Sequence, residues 1–199
     1  ILRPLFKMLF RRATVVTAIS AYLAEWANKM GAREVVVVSN GVDLEKFKRQ
    51  NSKGKSSDKV IITTSRLVPK NGVGDLIEAM RYLPAHYTLE IVGWGPLEMS
   101  LKLQVKSLKL EERITFVGEV AHAELPVYLH NADIFCRPSL SEGFGISFVE
   151  AMAASLPVIA TPVGGVVDFL RDKETGLFCK VGDPKSIADA VLLLDEQPA

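Results

Sequence analysis

From Val60 onward, short β-branched and apolar runs alternate with longer amphipathic stretches, and no other feature of the chain restricts its fold as much. Val60–Ser65, Thr88–Val92, Ile114–Val117, Asp133–Arg137, Pro157–Ala160 and Leu177–Lys180 read as strands. Helices are expected between them. One covers Gly72–Leu83 and is broken by Pro84, and another runs from Pro96 to about Lys109. Ala123–Asn131 can be helical if Pro126 falls in its first turn, and Pro184 suits the first position of a final helix. Strands alternating with helices predict an α/β domain with a mainly parallel sheet. Ligands of such open sheets lie beyond the carboxyl ends of the strands. Gly93, Gly118, Ser139, the loop around Gly143 and Gly164-Gly165 all follow strand-like runs, so they are expected on one rim.

The stretch Ser141–Ala153, SEGFGISFVEAMA, carries the densest chemistry. It lies between two apolar runs and reads as loop then helix. Gly143 and Gly145 allow a tight bend and a close approach of backbone to ligand. A helix starting near Ile146 aims its first N–H groups into the loop, which favours an anion there. Glu142 stands just before the helix and Glu150 eight residues later. With a phosphate on the amides, these carboxylates can accept hydrogen bonds from the hydroxyls of a sugar and a ribose. Phe148, Val149, Ala151, Met152 and Ala153 surround Glu150 with apolar or small side chains, so it is expected to be buried and to need partners. Arg66 and Lys70 follow the first strand of this region. Two cations there can neutralise a diphosphate, arginine through a forked contact and lysine as a point charge.

The first 59 residues have a different rhythm. Ala13–Ser20 reads as a buried strand, Ser20 as the N-cap of a helix through Lys29 or Met30, and Gly31 as its stop. Glu34–Ser39 reads as a strand and Asn40-Gly41 as a turn. Gln50–Lys59 is polar and rich in Gly and Ser, which suggests a linker. Ile1–Arg12 mixes apolar residues with Arg3, Lys7, Arg11 and Arg12. It fits either a packed helix with a solvated basic edge or a segment lying on an anionic membrane surface. Beginning at Ile1 and ending in Glu-Gln-Pro-Ala, the chain reads as a piece of a longer protein.

Several function classes fall away. The 199 residues, 48% hydrophobic and 24% charged, suit one globular domain with a little extra. A net charge of +1 supplies no field for nucleic acid. No apolar run is long enough to cross a bilayer, and no signal peptide is recognisable. Cys136 and Cys179 lie in apolar runs and read as reduced core thiols, which suits a cytoplasmic protein. His86, His122 and His130 share no metal-ligand spacing and read as surface or satisfied histidines. No Walker motif is present, and the GGVV stretch from Gly164 is not a dinucleotide fingerprint. Trp94, between two glycines, can stack on a ligand or plug the rim.

Glu142 and Glu150 form an E-x7-E pair, and six ordered blocks accompany them: SRLVPKNGVGDLIEA, LEIVGWGPL, ITFVGEV, NADIFCRPSLSEGFGISFVEAMA, LPVIATPVGG and TGLFCKVGDP. Together they resemble the donor-binding domain of retaining, GT-B-type family-4 (group 1) glycosyltransferases. The resemblance implies a Rossmann-like parallel sheet with helices on both faces, the C-terminal half of a GT-B fold. It divides the chain into the tail of an N-terminal domain (1–49), a linker (50–59) and a nucleotide-sugar donor-binding domain (60–199). It implies that the whole enzyme transfers a sugar from a nucleoside diphosphate sugar to an acceptor hydroxyl with retention, without a metal. The absent N-terminal domain would supply the acceptor site, so the isolated chain is expected to be inactive. By the same resemblance, Arg66 and Lys70 hold the diphosphate, Glu142 meets the sugar and Glu150 the ribose. Gly143, Phe144 and Gly145 offer backbone N–H groups to the sugar, Ile146 and Ser147 offer theirs to the phosphates, and the backbone of Val117 and Gly118 reads the base. The family's usual order at the lysine is Pro-Glu-Lys-Gly. Here it is Pro69-Lys70-Asn71-Gly72, with the lysine one residue early. Two alternatives stay open: a nucleotide-binding or scaffold module without catalysis, and a sugar-nucleotide epimerase of GT-B type. A peripheral membrane contact is a further expectation, and a nucleic-acid partner is not.

Overall fold

A computed structural model describes residues 2–48 and 58–196, so most of the linker expected over 50–59 lies outside the described residues. The first part comprises α1 (Leu2–Arg12), β1 (Val16–Ala18), α2 (Ala21–Lys29), β2 (Val35–Val37) and α3 (Leu44–Phe47). Ser20 caps α2 as its sequence predicts, its hydroxyl accepting from the Leu23 N–H at 3.2 Å. β1 and β2 are shorter than the apolar runs around them, because among the described residues each pairs with the other alone, from Val16–Val35 to Ala18–Val37. Phe6 and Phe10 of α1 meet the Trp26 ring edge-on, while Leu5, Met8 and Leu9 remain exposed. The four-residue α3 has no counterpart in the sequence reading. Asp43 caps it, and its last residue, Phe47, is buried in the main core.

The main part comprises β3 (Lys59–Thr64), α4 (Val73–Ala79), β4 (Tyr87–Val92), α5 (Glu98–Ser107), β5 (Ile114–Gly118), α6 (Leu125–Asn131), β6 (Ile134–Arg137), α7 (Ile146–Ala153), β7 (Val158–Ala160), β8 (Leu177–Phe178) and α8 (Pro184–Glu196). The helix expected over Gly72–Leu83 is divided: α4 passes into a 3-10 turn at Met80–Tyr82. All pairings in the six-stranded sheet are parallel, and the strand order is β5-β4-β3-β6-β7-β8. Chain order therefore runs outward from β3 to one edge, then returns and runs from β6 to the other. This is the doubly wound, Rossmann-like arrangement, and its switch point lies between β3 and β6.

Both faces of the sheet are covered, which is why its strands read as continuous apolar runs. Successive side chains of a strand point to opposite faces. Ile61 accordingly joins one core with Leu76, Leu101 and Val191, and Ile62 joins the other with Leu129, Phe148 and Phe47. Cys136 and Cys179 are buried free thiols, and burial pushes Cys179 up to about 12.

Candidate functional site

The switch point places two chain exits side by side. After β3 the chain passes through Ser65 and Arg66 to a 3-10 turn at Pro69–Asn71. After β6 it enters the loop that ends at Gly145. Gly145 has φ +93°, a left-handed conformation that a side chain would strain, and α7 begins at the next residue. The expected helix start at Ile146 is therefore the observed one.

A cavity of about 690 Å³ opens between these exits. Arg66, Lys70 and Arg137 line it with Glu142, and Gly145 and Ile146 bring the start of α7 to it. The displaced lysine has a local explanation. Asn71, in the usual lysine position, is buried, and its side-chain amide donates to the Arg66 carbonyl at 2.6 Å. Lys70 is exposed and reaches the cavity instead.

Arg137 is the residue that the sequence reading did not single out. It ends β6 with only 7% of its surface exposed. Its Nε donates to Ser139 Oγ at 3.2 Å, and Nη1 donates to Ser147 Oγ at 2.7 Å and to the Thr64 carbonyl at 3.5 Å. Nη2 donates to Glu142 Oε2. The guanidinium also lies 4.4 Å from the centre of the Phe148 ring. Burial lowers its pKa from the ordinary guanidinium range, while the charges of Glu142 and Glu150 oppose that shift. The available signal was a charged residue closing an apolar strand at the ligand-binding end of the sheet.

Glu142 is held from both sides, since its Oε1 accepts from the Gly143 N–H at 2.9 Å. The Gly143 donor thus points at Glu142 in this structure. Phe144 is buried, with its ring 5.2 Å from that of Phe169, and neither it nor Gly143 is in the lining of the first cavity. Ser147 is buried and bonded to Arg137 through its side chain.

A second cavity, about 540 Å³, adjoins the first through Arg66, which lines both. Trp94 lines it and is 53% exposed, a surface for stacking rather than a plug. Ser65 also lines it, but its hydroxyl oxygen is buried and has no hydrogen-bond partner among the described residues. Val117 and Gly118 lie at the end of β5, where the Gly118 carbonyl accepts from the Gly93 N–H at 2.7 Å. Neither is in the cavity lining, which takes Glu119 and Val120 from the same loop.

Glu150 is buried at 6% exposure on α7, as its apolar neighbours predict. It lies behind His122, whose Nε2 is 2.8 Å from Glu150 Oε1 and whose ring is in the second cavity's lining. His122 therefore combines both readings of a histidine, with a mostly exposed side chain and one nitrogen on a buried carboxylate. Separated from Glu150 by 28 residues, it carried no sequence signal for this contact. Among the described residues, no three His, Cys, Asp or Glu side chains gather as a metal site would require.

The arrangement can hold an elongated anionic ligand. One cavity offers cations, a carboxylate and helix-start amides. The other offers an aromatic face and a carboxylate behind a histidine. The family model described as "Glycosyl transferases group 1" matches residues 45–198. The chain is 31% identical over 196 residues to a putative colanic acid biosynthesis glycosyltransferase, WcaL, of Escherichia coli, covering 93% of this chain and 48% of that protein. It is 31% identical over 222 residues to a GDP-mannose-dependent alpha-(1-6)-phosphatidylinositol monomannoside mannosyltransferase of Mycobacterium tuberculosis, covering 98% and 58%. The crystal structure of Anabaena HepE in complex with UDP and glucose superposes with a TM-score of 0.88 at 26% identity, covering 98% of this chain and 57% of that one. The chain thus spans about half the length of the curated relatives it matches.

Proposed function

The chain belongs to the group 1 glycosyl transferases, and we propose that it is the donor-binding half of an enzyme that transfers a hexosyl group from a nucleoside diphosphate sugar to an acceptor hydroxyl, with retention. The observation that carries this reading is the pair of cavities joined at Arg66. The diphosphate sits in the first, with Arg66 and Lys70 beside it and the amides of Ile146 and Ser147 below it. The sugar meets Glu142, whose carboxylate the Gly143 N–H holds, and the backbone of Phe144 and Gly145. The ribose reaches Glu150 at His122, and the base lies against Trp94 near the loop after Val117 and Gly118.

Charge builds on the departing diphosphate as the glycosidic bond breaks. Fixed cations and helix-start amides stabilise that charge without reorganising, which is where such a site lowers its barrier. With two cations at the leaving group, the chemistry requires no metal. Retention follows if the departing diphosphate assists the acceptor on its own face of the sugar. Residues 1–49 form the tail of a preceding domain that carries the acceptor site, 50–59 link the two parts, and 60–199 bind the donor. The enzyme acts in the cytoplasm in glycan biosynthesis, and α1 is the segment through which it would touch an anionic membrane. No described helix is long and apolar enough to cross one. A catalytically silent module drew its support from the displaced lysine, which weighs less because Lys70 lines the same cavity as Arg66.

Calorimetric titration of the full-length protein with UDP, GDP and ADP tests the site. Saturable binding of one of them is expected, weakened about tenfold or more by Glu150→Ala, the loss of a hydrogen bond to a charged group. Failure of all three to bind contradicts the reading. With donor sugar alone, at most slow hydrolysis is expected; conversion of the sugar would favour the epimerase.

A further inference from the structure

Glu142 creates an electrostatic conflict. It lines the same cavity as Arg66 and Lys70, where, on the reading above, the diphosphate is held. A carboxylate beside an anionic ligand repels it, and in a partly desolvated site the repulsion is large. Yet a carboxylate is the group that best accepts hydrogen bonds from sugar hydroxyls.

Arg137 stands where it can resolve this conflict. Its Nη2 donates to Glu142 Oε2, and it is as buried as the carboxylate it pairs with. Its other hydrogen bonds go to neutral groups: the Ser139 and Ser147 hydroxyls and the Thr64 carbonyl. These contacts and the Phe148 ring fix the fork in place. Glu150, four residues along α7 from Ile146, adds a weaker attraction. A buried ion pair is a poor source of stability, because desolvation offsets its attraction. The charge count has a clearer consequence. Arg66, Lys70 and Arg137 against Glu142 leave the first cavity two net positive charges. Without Arg137 one remains, and the carboxylate nearest the ligand is uncompensated.

We propose that Arg137 is a positioning residue that cancels the charge of Glu142, so that a carboxylate for the sugar can stand inside a diphosphate site. Arg137 acts on the donor through Glu142 rather than by gripping the phosphates. The proposal rests on the donor-site reading.

The test is a rescue. Dissociation constants for UDP, GDP and ADP are measured on the full-length protein, as wild type, Arg137→Met, Glu142→Gln and the double variant. Arg137→Met is expected to weaken the bound diphosphate about tenfold or more. Glu142→Gln is expected to bind it at least as well as wild type. The double variant should return to within about threefold of Glu142→Gln, because the charge that needed cancelling is gone. A double variant as weak as Arg137→Met overturns the proposal, as does an Arg137→Met that binds normally. If Arg137→Met does not fold, the double variant, which buries neither charge, is compared with Glu142→Gln directly. Equal affinity supports the proposal, and a gap of about tenfold overturns it. Absence of all nucleotide binding in the wild type removes the donor site itself and this proposal with it; wild-type binding without rescue removes only the proposal.

Discussion

Arg113 and Arg137 stand at opposite ends of the sheet, and burial lowers the pKa of both below the ordinary guanidinium range. Their partners differ. Arg113, just before β5, donates to three backbone carbonyls, those of Tyr87 and Met80 at 3.0 Å and of Pro84 at 2.9 Å. It staples the turn before β4 to the start of β5. Arg137 closes β6 at the other end and donates to a carboxylate that lines a cavity and to two buried hydroxyls behind it. The surroundings repeat the contrast. Near Arg113, the Tyr87 hydroxyl donates to Asp195 of α8, and Lys59 lies 3.4 Å from the same carboxylate. A cavity of about 550 Å³ exists at that end too, but its Asp133 already accepts from the Val60 N–H and its Lys59 and Asp195 are paired. At the rim, Arg66 and Lys70 are exposed and line the first cavity. Volume does not distinguish the two ends; exposed cationic charge in the cavity lining does.

The comparison breaks most visibly if rim cations prove structural. Arg66→Ala is expected to lower sugar transfer about 10²–10³-fold, the loss typical of one preorganised contact to developing charge. Its exposed side chain should leave stability within about 0.5 kcal/mol of wild type. Initial rates and urea unfolding read the two effects; a stability loss with an intact rate would reverse the assignment. At the other end the balance is opposite. Arg113→Met removes the Arg113 donors from the Tyr87 and Met80 carbonyls, while Pro84 keeps the Tyr87 N–H, and should cost about 2 kcal/mol in urea unfolding, with nucleotide affinity unchanged. Tyr87→Phe should cost about 1 kcal/mol. Burial, then the hydrogen bond and charge of Asp195, raise the Tyr87 pKa above its ordinary 10.0. The folded protein therefore keeps a proton that the unfolded chain releases. This contribution is complete below pH 10 and lost as pH rises beyond it, so Tyr87→Phe should flatten the alkaline decline of stability. An unchanged decline would show that the folded state does not hold the Tyr87 proton more tightly than the unfolded chain.

How much of this was legible in the chain depends on how local the cause is. Alternating strands and helices follow from short-range periodicity, and the start of α7 follows from Gly145. Pro184 opens α8 as its missing N–H predicts. The strand order was not readable from that pattern, because it depends on which strands meet across the sheet. α3 is too short to have a period, and what holds it is the burial of Phe47 among residues far along the chain. In the site, the cations after β3 and both glutamates of the E-x7-E pair were legible as a motif. Arg137 was hidden as the last residue of a strand, and His122 as a loop histidine, because their partners are fixed only by the fold. Glu119 and Val120, rather than Val117 and Gly118, line the second cavity, since the turn after β5 carries the chain past its last paired residue before it faces the rim.

The central claim is that the two cavities joined at Arg66 form one donor site. A crystal structure of the full-length protein with its bound nucleoside diphosphate tests it most directly. The account predicts the diphosphate between Arg66, Lys70 and the start of α7, with the base against Trp94. A nucleotide bound elsewhere, or one whose base occupies the cavity of Arg66, Lys70 and Glu142, would contradict it.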